Sequence, residues 1–192
     1  MRYAPEHKDQ TRERILAEAR RLFRRHGFEG VSLDAVMSAA GLTRGGFYKH
    51  FRSKADLFAR ALDHEADFVA RMRAREGRSA EALREGALEV VRGYLHPDHR
   101  EQVGRGCDLA ALSVDVARAG KRARKQHATK LRELVAEFER GLGSPDTPDP
   151  RALTSVALCV GGLVLARSVD DEALAEALLD ACEEAVAARL DA

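Results

Sequence analysis

The sequence of 192 residues has no tryptophan, few aromatic residues (5%), five prolines and three cysteines. The cysteines lie far apart and form no Cys-x-x-Cys pair, so neither a disulfide framework nor a zinc site is indicated. The longest apolar run, residues 157–166, is about half of the ~20 residues that a membrane-spanning helix needs. The polar N-terminal stretch has no signal-peptide pattern. We therefore expect a globular cytoplasmic protein with no membrane partner.

The net charge of +1 says little about partners, but the charge is unevenly distributed. Residues 1–60 contain 13 Lys and Arg against 7 Asp and Glu, whereas residues 61–192 contain 19 against 24. A basic first third joined to an acidic remainder favours a module that binds a polyanion, attached to a second module with another role.

The fold class is predicted to be all-α, with about nine helices. Prolines are too few to interrupt long helices, and no apolar–polar alternation of β-branched residues indicates a strand. Apolar residues at helical spacing and capping residues predict the following segments: 8–26, 33–39, 43–50, a long helix over 53–76, 79–95, one or two helices within 103–119, 121–142, 151–169 and 171–190. A proline-rich loop is expected over 143–150.

Residues 32–51 have the pattern of a helix-turn-helix. Ser32 is placed to cap a short helix, residues 40–42 form a turn with Gly41, and Thr43 is placed to cap a second short helix. A small core is expected beneath these helices, formed by Phe47 and Phe51 with Leu33, Val36, Leu42 and Leu57. The polar side chains of the second short helix are those that donate to phosphates and base edges.

The run from Gly27 to Phe58 resembles the TetR/AcrR family of bacterial repressors. It reads Gly-Phe, then Val-Ser-Leu-Asp-Ala-Val, then Ala-Ala-Gly-Leu-Thr-Arg-Gly-Gly-Phe-Tyr-Lys-His-Phe-Arg-Ser-Lys-Ala-Asp-Leu-Phe. The resemblance implies a homodimer that places two recognition helices in successive major grooves of a double-stranded operator. It also implies a DNA-binding domain over 1–58, and an effector-binding and dimerisation domain over 59–192.

Carried over by position, the resemblance assigns eight residues to DNA binding. Arg44 and Lys49 are the expected base readers, Tyr48 and His50 the expected backbone contacts, and Lys54 a phosphate contact. The full set is Ser32, Thr43, Arg44, Gly45, Tyr48, Lys49, His50 and Lys54.

The resemblance further implies a pocket for a small, apolar or amphipathic effector and a helical dimer interface. The expected pocket residues are Phe68, Met72, Tyr94, Cys107, Leu112, His127, Leu131 and Phe138. The expected interface residues are Val156, Val160, Leu163, Val164, Leu174 and Leu178. The long helix over 53–76 is expected to carry the signal, as the only covalent path between the two domains.

Several alternatives remain open at the level of sequence. Cys107 precedes an expected helix near Arg105, which favours a reactive thiolate and a redox or electrophile sensor, although Asp108 opposes it. His96 and His99 flank a proline in a loop and are a weak zinc candidate. An enzyme or carrier that uses the acidic domain, a non-specific DNA-binding protein and an activator are rivals to the repressor. No catalytic motif, cofactor or metal is expected.

Overall fold

The computed structural model describes residues 5–64, 66–77, 79–140, 142 and 149–191. Those residues contain ten α-helices, two 3-10 helices and no strand, which confirms the all-α class with more helices than the nine expected. The α-helices are α1 (Pro5–His26), α2 (Leu33–Ala39), α3 (Lys54–Ala61), α4 (Asp67–Arg73), α5 (Ala80–Tyr94), α6 (Pro97–Glu101), α7 (Asp108–Arg118), α8 (Lys121–Glu139), α9 (Pro150–Arg167) and α10 (Glu172–Asp191). The 3-10 helices are η1 (Arg44–Lys49) and η2 (Val103–Arg105).

The chain forms two compact units, which we call the head and the body. The head contains residues 5–64 and 111–127, and the body contains the described residues of 66–110 and 128–191. The compact units therefore differ from the predicted division after residue 58, which gave 111–127 to the second domain. The reason is burial: Leu112, Val116 and Ala123 contribute to the core of the head.

Helix α1 supplies one wall of the head through the apolar stripe that its sequence predicts. Ile15, Leu16, Ala19 and Phe23 are all buried. The ring of Phe23 meets that of Phe58 edge to face at a centroid distance of 5.1 Å, a favourable aromatic geometry. The helix begins at Pro5, earlier than predicted, and ends at His26 as predicted, because Gly27 adopts a φ of +69° that stops the helix.

The helix-turn-helix is confirmed, with one difference in its second helix. Ser32 caps α2 by accepting a hydrogen bond from the N–H of Ala35 at 3.0 Å, and Gly41 makes the turn with a φ of +68°. Thr43 occupies the N-cap position of η1 but makes no side-chain capping bond. The segment is a 3-10 helix, consistent with the low α-helical propensity of its two glycines. Its anchors Phe47 and Phe51 are buried in the predicted small core.

The prediction of one long helix over 53–76 is wrong, because the chain forms two helices there, α3 and α4. The carbonyl oxygen of Ala61 accepts a bond from Arg20 Nε at 3.3 Å and lies 2.8 Å from Nδ1 of His64. These two contacts satisfy the carbonyl at the end of α3 without a further helical turn. Ala66 then starts α4 with extended backbone angles.

The body has its own apolar core, in which α9 and α10 pack against each other. Ser79 caps α5 by accepting a hydrogen bond from the N–H of Ala82 at 3.1 Å. Helix α8 ends at Glu139 rather than at residue 142, and most of the predicted 143–150 loop lies outside the described residues.

Helix α9 is long and apolar enough to span a membrane by length and composition, with a mean hydropathy of 1.3. Seven of its residues, including Cys159 and Leu163, are buried in the body, as expected of a core helix.

Candidate nucleic-acid interface

The second helix of the helix-turn-helix presents its polar side chains to solvent. Thr43, Arg44, Gly45, Tyr48 and Lys49 are exposed, and Tyr48 has 66% of its surface accessible. Phe47, between them, is fully buried and fixes η1 on the core of the head. An exposed tyrosine beside a buried phenylalanine belongs to the surface, so Tyr48 is available to a partner.

Arg44 is held by an acidic side chain from the first helix of the motif. Its Nη1 donates to Oδ2 of Asp34 at 2.6 Å, and both side chains are more than half exposed. Asp34 is in the first turn of α2 and Arg44 is the first residue of η1. The sequence prediction named Arg44 as a base reader without an acidic partner, and no spacing rule for two short helices pointed to this pair.

Lys54 projects its charge from the start of α3. Its Nζ lies 4.4 Å from the ring centroid of Phe28 and 3.4 Å from the carbonyl oxygen of Glu29. Ser53 caps the same helix by accepting the N–H of Asp56 at 3.1 Å. A half-buried ammonium at a helix N-terminus, without a carboxylate partner among the described residues, suits contact with a phosphate.

His50 lies at the end of η1 with a neutral ring favoured. Burial, and then the positive charges of Lys8, Arg12 and Lys49, lower the pKa of His50 below its ordinary value of 6.5. Its Nδ1 is buried and has no hydrogen-bond partner within the described residues. The three cations around His50 mark this end of the motif as positively charged, which suits a polyanion.

Two side chains from residues 111–127 complete the head, and sequence reasoning missed both. Oδ1 of Asp115 accepts the backbone N–H of Phe28 at 2.9 Å, and Nη1 of Arg122 donates to Asp56 at 3.1 Å. The same segment and α3 border a cleft of about 470 Å³ with Phe28 and Phe58 in its wall. The partners are separated by 87 and 66 positions, so no local pattern signals them.

Comparison with known proteins places this geometry in a family. Residues 15–61 match the family model described as bacterial regulatory proteins, tetR family. Over 188 residues the chain is 28% identical to an HTH-type transcriptional repressor of Mycobacterium tuberculosis, and the match covers 94% of this chain and 95% of that one. Residues 15–61 are therefore a helix-turn-helix domain of the TetR family. A second relative, the HTH-type transcriptional repressor AcnR of Corynebacterium glutamicum, is 35% identical over 91 residues, which cover 47% of this chain but only 43% of AcnR.

Solved structures share the fold of this chain over nearly its whole length. The reduced form of E. coli NemR superposes with a TM-score of 0.73 at 22% identity and covers 92% of this chain and 95% of its own. A TetR transcriptional regulator from Chloroflexus aurantiacus has a TM-score of 0.74 at 23% identity, covering 97% and 96%. These likenesses establish an all-α fold with an N-terminal helix-turn-helix.

The predicted effector residues fall into both units. Phe68, Met72, Tyr94, Cys107 and Phe138 are buried together in the body, and Leu131 packs against them. Leu112 and His127 are in the head instead, where Nε2 of His127 lies 3.1 Å from the hydroxyl of Ser113. The structure thus brings six of the eight predicted residues into one core and separates two from it, because the chain re-enters the head at residue 111.

The predicted interface residues differ in their exposure. Val164 on α9 and Leu174 on α10 are exposed. Val160 and Leu178 are half-buried, whereas Val156 and Leu163 are buried in the core of the body. The last two side chains therefore stabilise the chain's own fold rather than lie on its surface.

The environment of Cys107 opposes a reactive thiolate. The residue is buried just before α7, and this burial raises the pKa of its thiol above the ordinary value of 9.0 despite nearby backbone N–H groups. His96 caps α6 and His99 bonds to the carbonyl oxygen of Tyr94, so each histidine has a structural role. Within the described ranges no three His, Cys, Asp or Glu side chains are grouped to hold a metal.

Proposed function

We propose that this protein is a TetR-family DNA-binding transcriptional regulator of the cytoplasm, acting as a repressor that a small-molecule effector releases from a palindromic operator. The observation that carries the proposal is the exposed donor set of η1, with Arg44, Tyr48 and Lys49 held on a buried phenylalanine anchor. Arg and Lys are the side chains that most often read guanine in the major groove. Lys54 adds a phosphate contact that fixes the register of the head on the duplex.

A homodimer is supported by an apolar surface on the last two helices. Leu153, Val164 and Leu165 on α9 and Leu174 on α10 are the large apolar side chains exposed there. Space is open above Gly161 of the same helix, where an added side chain would meet nothing. Burying this surface against a second copy removes apolar area from water, and the two-fold symmetry places two heads on two half-sites.

The effector is proposed to bind in the core of the body, around Tyr94. The ring of Tyr94 stacks on Phe68 at a centroid distance of 4.0 Å, and Arg167 points its guanidinium into the same region. Two nitrogens of Arg167 bond to the carbonyl oxygens of His99 and Arg100, but its Nη1 is buried with no partner in the described residues. An unsatisfied donor inside an apolar core favours a ligand with an acceptor group.

Effector binding is proposed to act on the head through three connections rather than one. The chain passes between body and head after residue 64, at 110–111 and at 127–128, so the α3–α4 segment, α7 and α8 all take part. This replaces the single long helix expected from the sequence. An effector that binds one arrangement of the body better shifts the population toward heads whose spacing does not fit consecutive grooves.

The proposal is tested by fluorescence anisotropy with two duplexes, the region upstream of the protein's own gene and a scrambled sequence of the same composition. A preference of ~10³ or more with a steep salt dependence is expected of a specific regulator. Equal binding to both duplexes would favour a non-specific DNA-binding protein. Binding to neither would favour an enzyme or a carrier, and a reporter gene distinguishes repressor from activator.

The dimer is tested separately with two matched substitutions of exposed valines. Val164→Arg places a charge on the proposed interface, and Val114→Arg places the same charge on α7 in the head. Sedimentation equilibrium is expected to give a monomer for Val164→Arg and a dimer for Val114→Arg. Two dimers, or two monomers, would contradict the assignment of the interface to α9 and α10.

A further inference from the structure

From the contact between the two helices of the motif, we infer that Asp34 is a positioning residue that sets the DNA sequence specificity of Arg44. This inference rests on the proposed regulator and assigns a role to a residue that does not itself read a base. The observation is the hydrogen bond of 2.6 Å from Arg44 Nη1 to Oδ2 of Asp34. Both side chains are exposed, 62% for Arg44 and 57% for Asp34, so the pair lies on the surface of the motif.

The backbone on both sides of this pair is held by hydrogen bonds. Ser32 caps the start of α2, and Asp34 lies in the first turn of that helix. The N–H of Leu42 donates to Met37 at 2.8 Å, and the N–H of Gly46 donates to Thr43 at 3.0 Å, which together fix the turn and the start of η1. Asp34 and Arg44 therefore face each other from two short helices whose separation is set by the motif.

The bond leaves the reading edge of the guanidinium available. Asp34 takes Nη1, while Nε and Nη2 of Arg44 keep N–H donors that match O6 and N7 of a guanine. A free arginine on an exposed surface samples many rotamers and can turn to a phosphate instead of a base. A carboxylate that holds one nitrogen removes this freedom before binding, which lowers the entropic cost of the specific contact.

The charge of Asp34 affects the binding of all duplexes alike. A carboxylate beside a DNA-reading side chain repels the phosphates of any sequence, so it lowers the affinity for operator and scrambled DNA by a similar factor. This repulsion cancels in the ratio of specific to non-specific affinity. A change in that ratio therefore reports the orientation of Arg44, which does not require Asp34 to contact DNA.

A purely structural role for Asp34 is the alternative, and it predicts a different result. An acidic residue in the first turn of α2 stabilises the helix through its dipole, and an exposed ion pair adds little to folding stability. Loss of that role alone would lower the melting temperature slightly and weaken binding to all duplexes by the same factor. The ratio of affinities for operator and scrambled DNA is thus the measurement that separates the two roles.

The experiment uses the full chain and an operator selected from a random duplex library. Dissociation constants are measured for the operator, for each single-base-pair variant and for a scrambled duplex, with wild type, Asp34→Asn, Arg44→Ala and the double variant. Glu29→Gln is the matched control, since it also turns an exposed carboxylate of the head into an amide. Melting temperatures verify that every variant is folded.

Asp34→Asn is expected to lower the operator-to-scrambled ratio by about tenfold or more, the range of one base contact. The loss should be confined to the base pair that Arg44→Ala also affects, and the double variant should lose no more than Arg44→Ala alone. Glu29→Gln should leave the ratio unchanged. A ratio unchanged in Asp34→Asn, or a further tenfold loss in the double variant, would overturn the inference alone. A wild type without any preference would overturn the proposed regulator as well.

Discussion

Lys54 offers a direct measurement of the proposed phosphate contact. Replacing it by methionine removes the ammonium that lies 4.4 Å from the Phe28 ring centroid but keeps an unbranched apolar side chain on that ring. Loss of a cation–π contact at the protein surface costs about 0.5–1 kcal/mol of folding stability, well below the 5–15 kcal/mol that a typical domain has. The head should therefore stay folded, and the change should act on DNA binding.

The size of the effect follows from counterion release. Each neutralised phosphate contributes about 0.9 to the slope of log affinity against log salt, so losing one contact lowers the slope by about that amount. If variant and wild type bind DNA equally well at 1 M salt, the smaller slope makes the variant about eightfold weaker per head at 0.1 M salt. For a dimer that uses both copies of Lys54 the loss of affinity is about 60-fold. The factor should be the same for operator and scrambled DNA, because a phosphate carries no sequence information.

The assay is an anisotropy titration of both duplexes at several salt concentrations between about 50 and 300 mM, a range wide enough to define the slope of log affinity against log salt. Arg132→Ala, which removes one exposed positive charge from α8 in the body, is the control and should leave the slope unchanged. An unchanged slope for Lys54→Met would refute the assignment of Lys54 to a phosphate. A loss confined to the operator would instead make it a base reader.

Three further predictions concern single side chains of the two units. Burial and nearby cations lower the pKa of His50 in the free protein, and a bound DNA phosphate would raise that pKa again. DNA binding is then coupled to proton uptake, so the affinity for DNA should increase from pH 8 to pH 6 in the wild type. In His50→Gln the affinity should stay nearly constant over the same pH range. Asp108 and Lys130 form a buried ion pair with an N–O distance of 2.8 Å. Asp108→Ala should therefore lower the free energy of unfolding in urea by about 3–5 kcal/mol, whereas the double variant Asp108→Leu with Lys130→Met should lower it markedly less. Equal losses in the two variants would contradict a pairing role. Ser53→Ala removes a capping bond and should cost about 1 kcal/mol, while Thr43→Ala, which removes none, should change the unfolding free energy by less than about 0.5 kcal/mol.

The sequence alone determined the local structure of the head. The caps at Ser32 and Ser53, the turn at Gly41 and the end of α1 at Gly27 depend on residues within four positions of each other, so their signals are complete in a short stretch. The exposed donors of η1 follow from the same short-range pattern, since the buried Phe47 fixes which neighbours face solvent. These residues also lie within the segment that matches the TetR family model.

Tertiary structure decided the features that depend on distant partners. The helix predicted over 53–76 divides after Ala61, whose carbonyl oxygen accepts a bond from Arg20, 41 positions away. Residues 111–127 join the head because Leu112 is buried there and Asp115 holds Phe28. Apolar periodicity and capping signals come from residues that are close in sequence. They carry no information about a hydrogen bond or a buried contact that a distant segment supplies. Only the folded chain brings those segments together, and with them the connections between head and body.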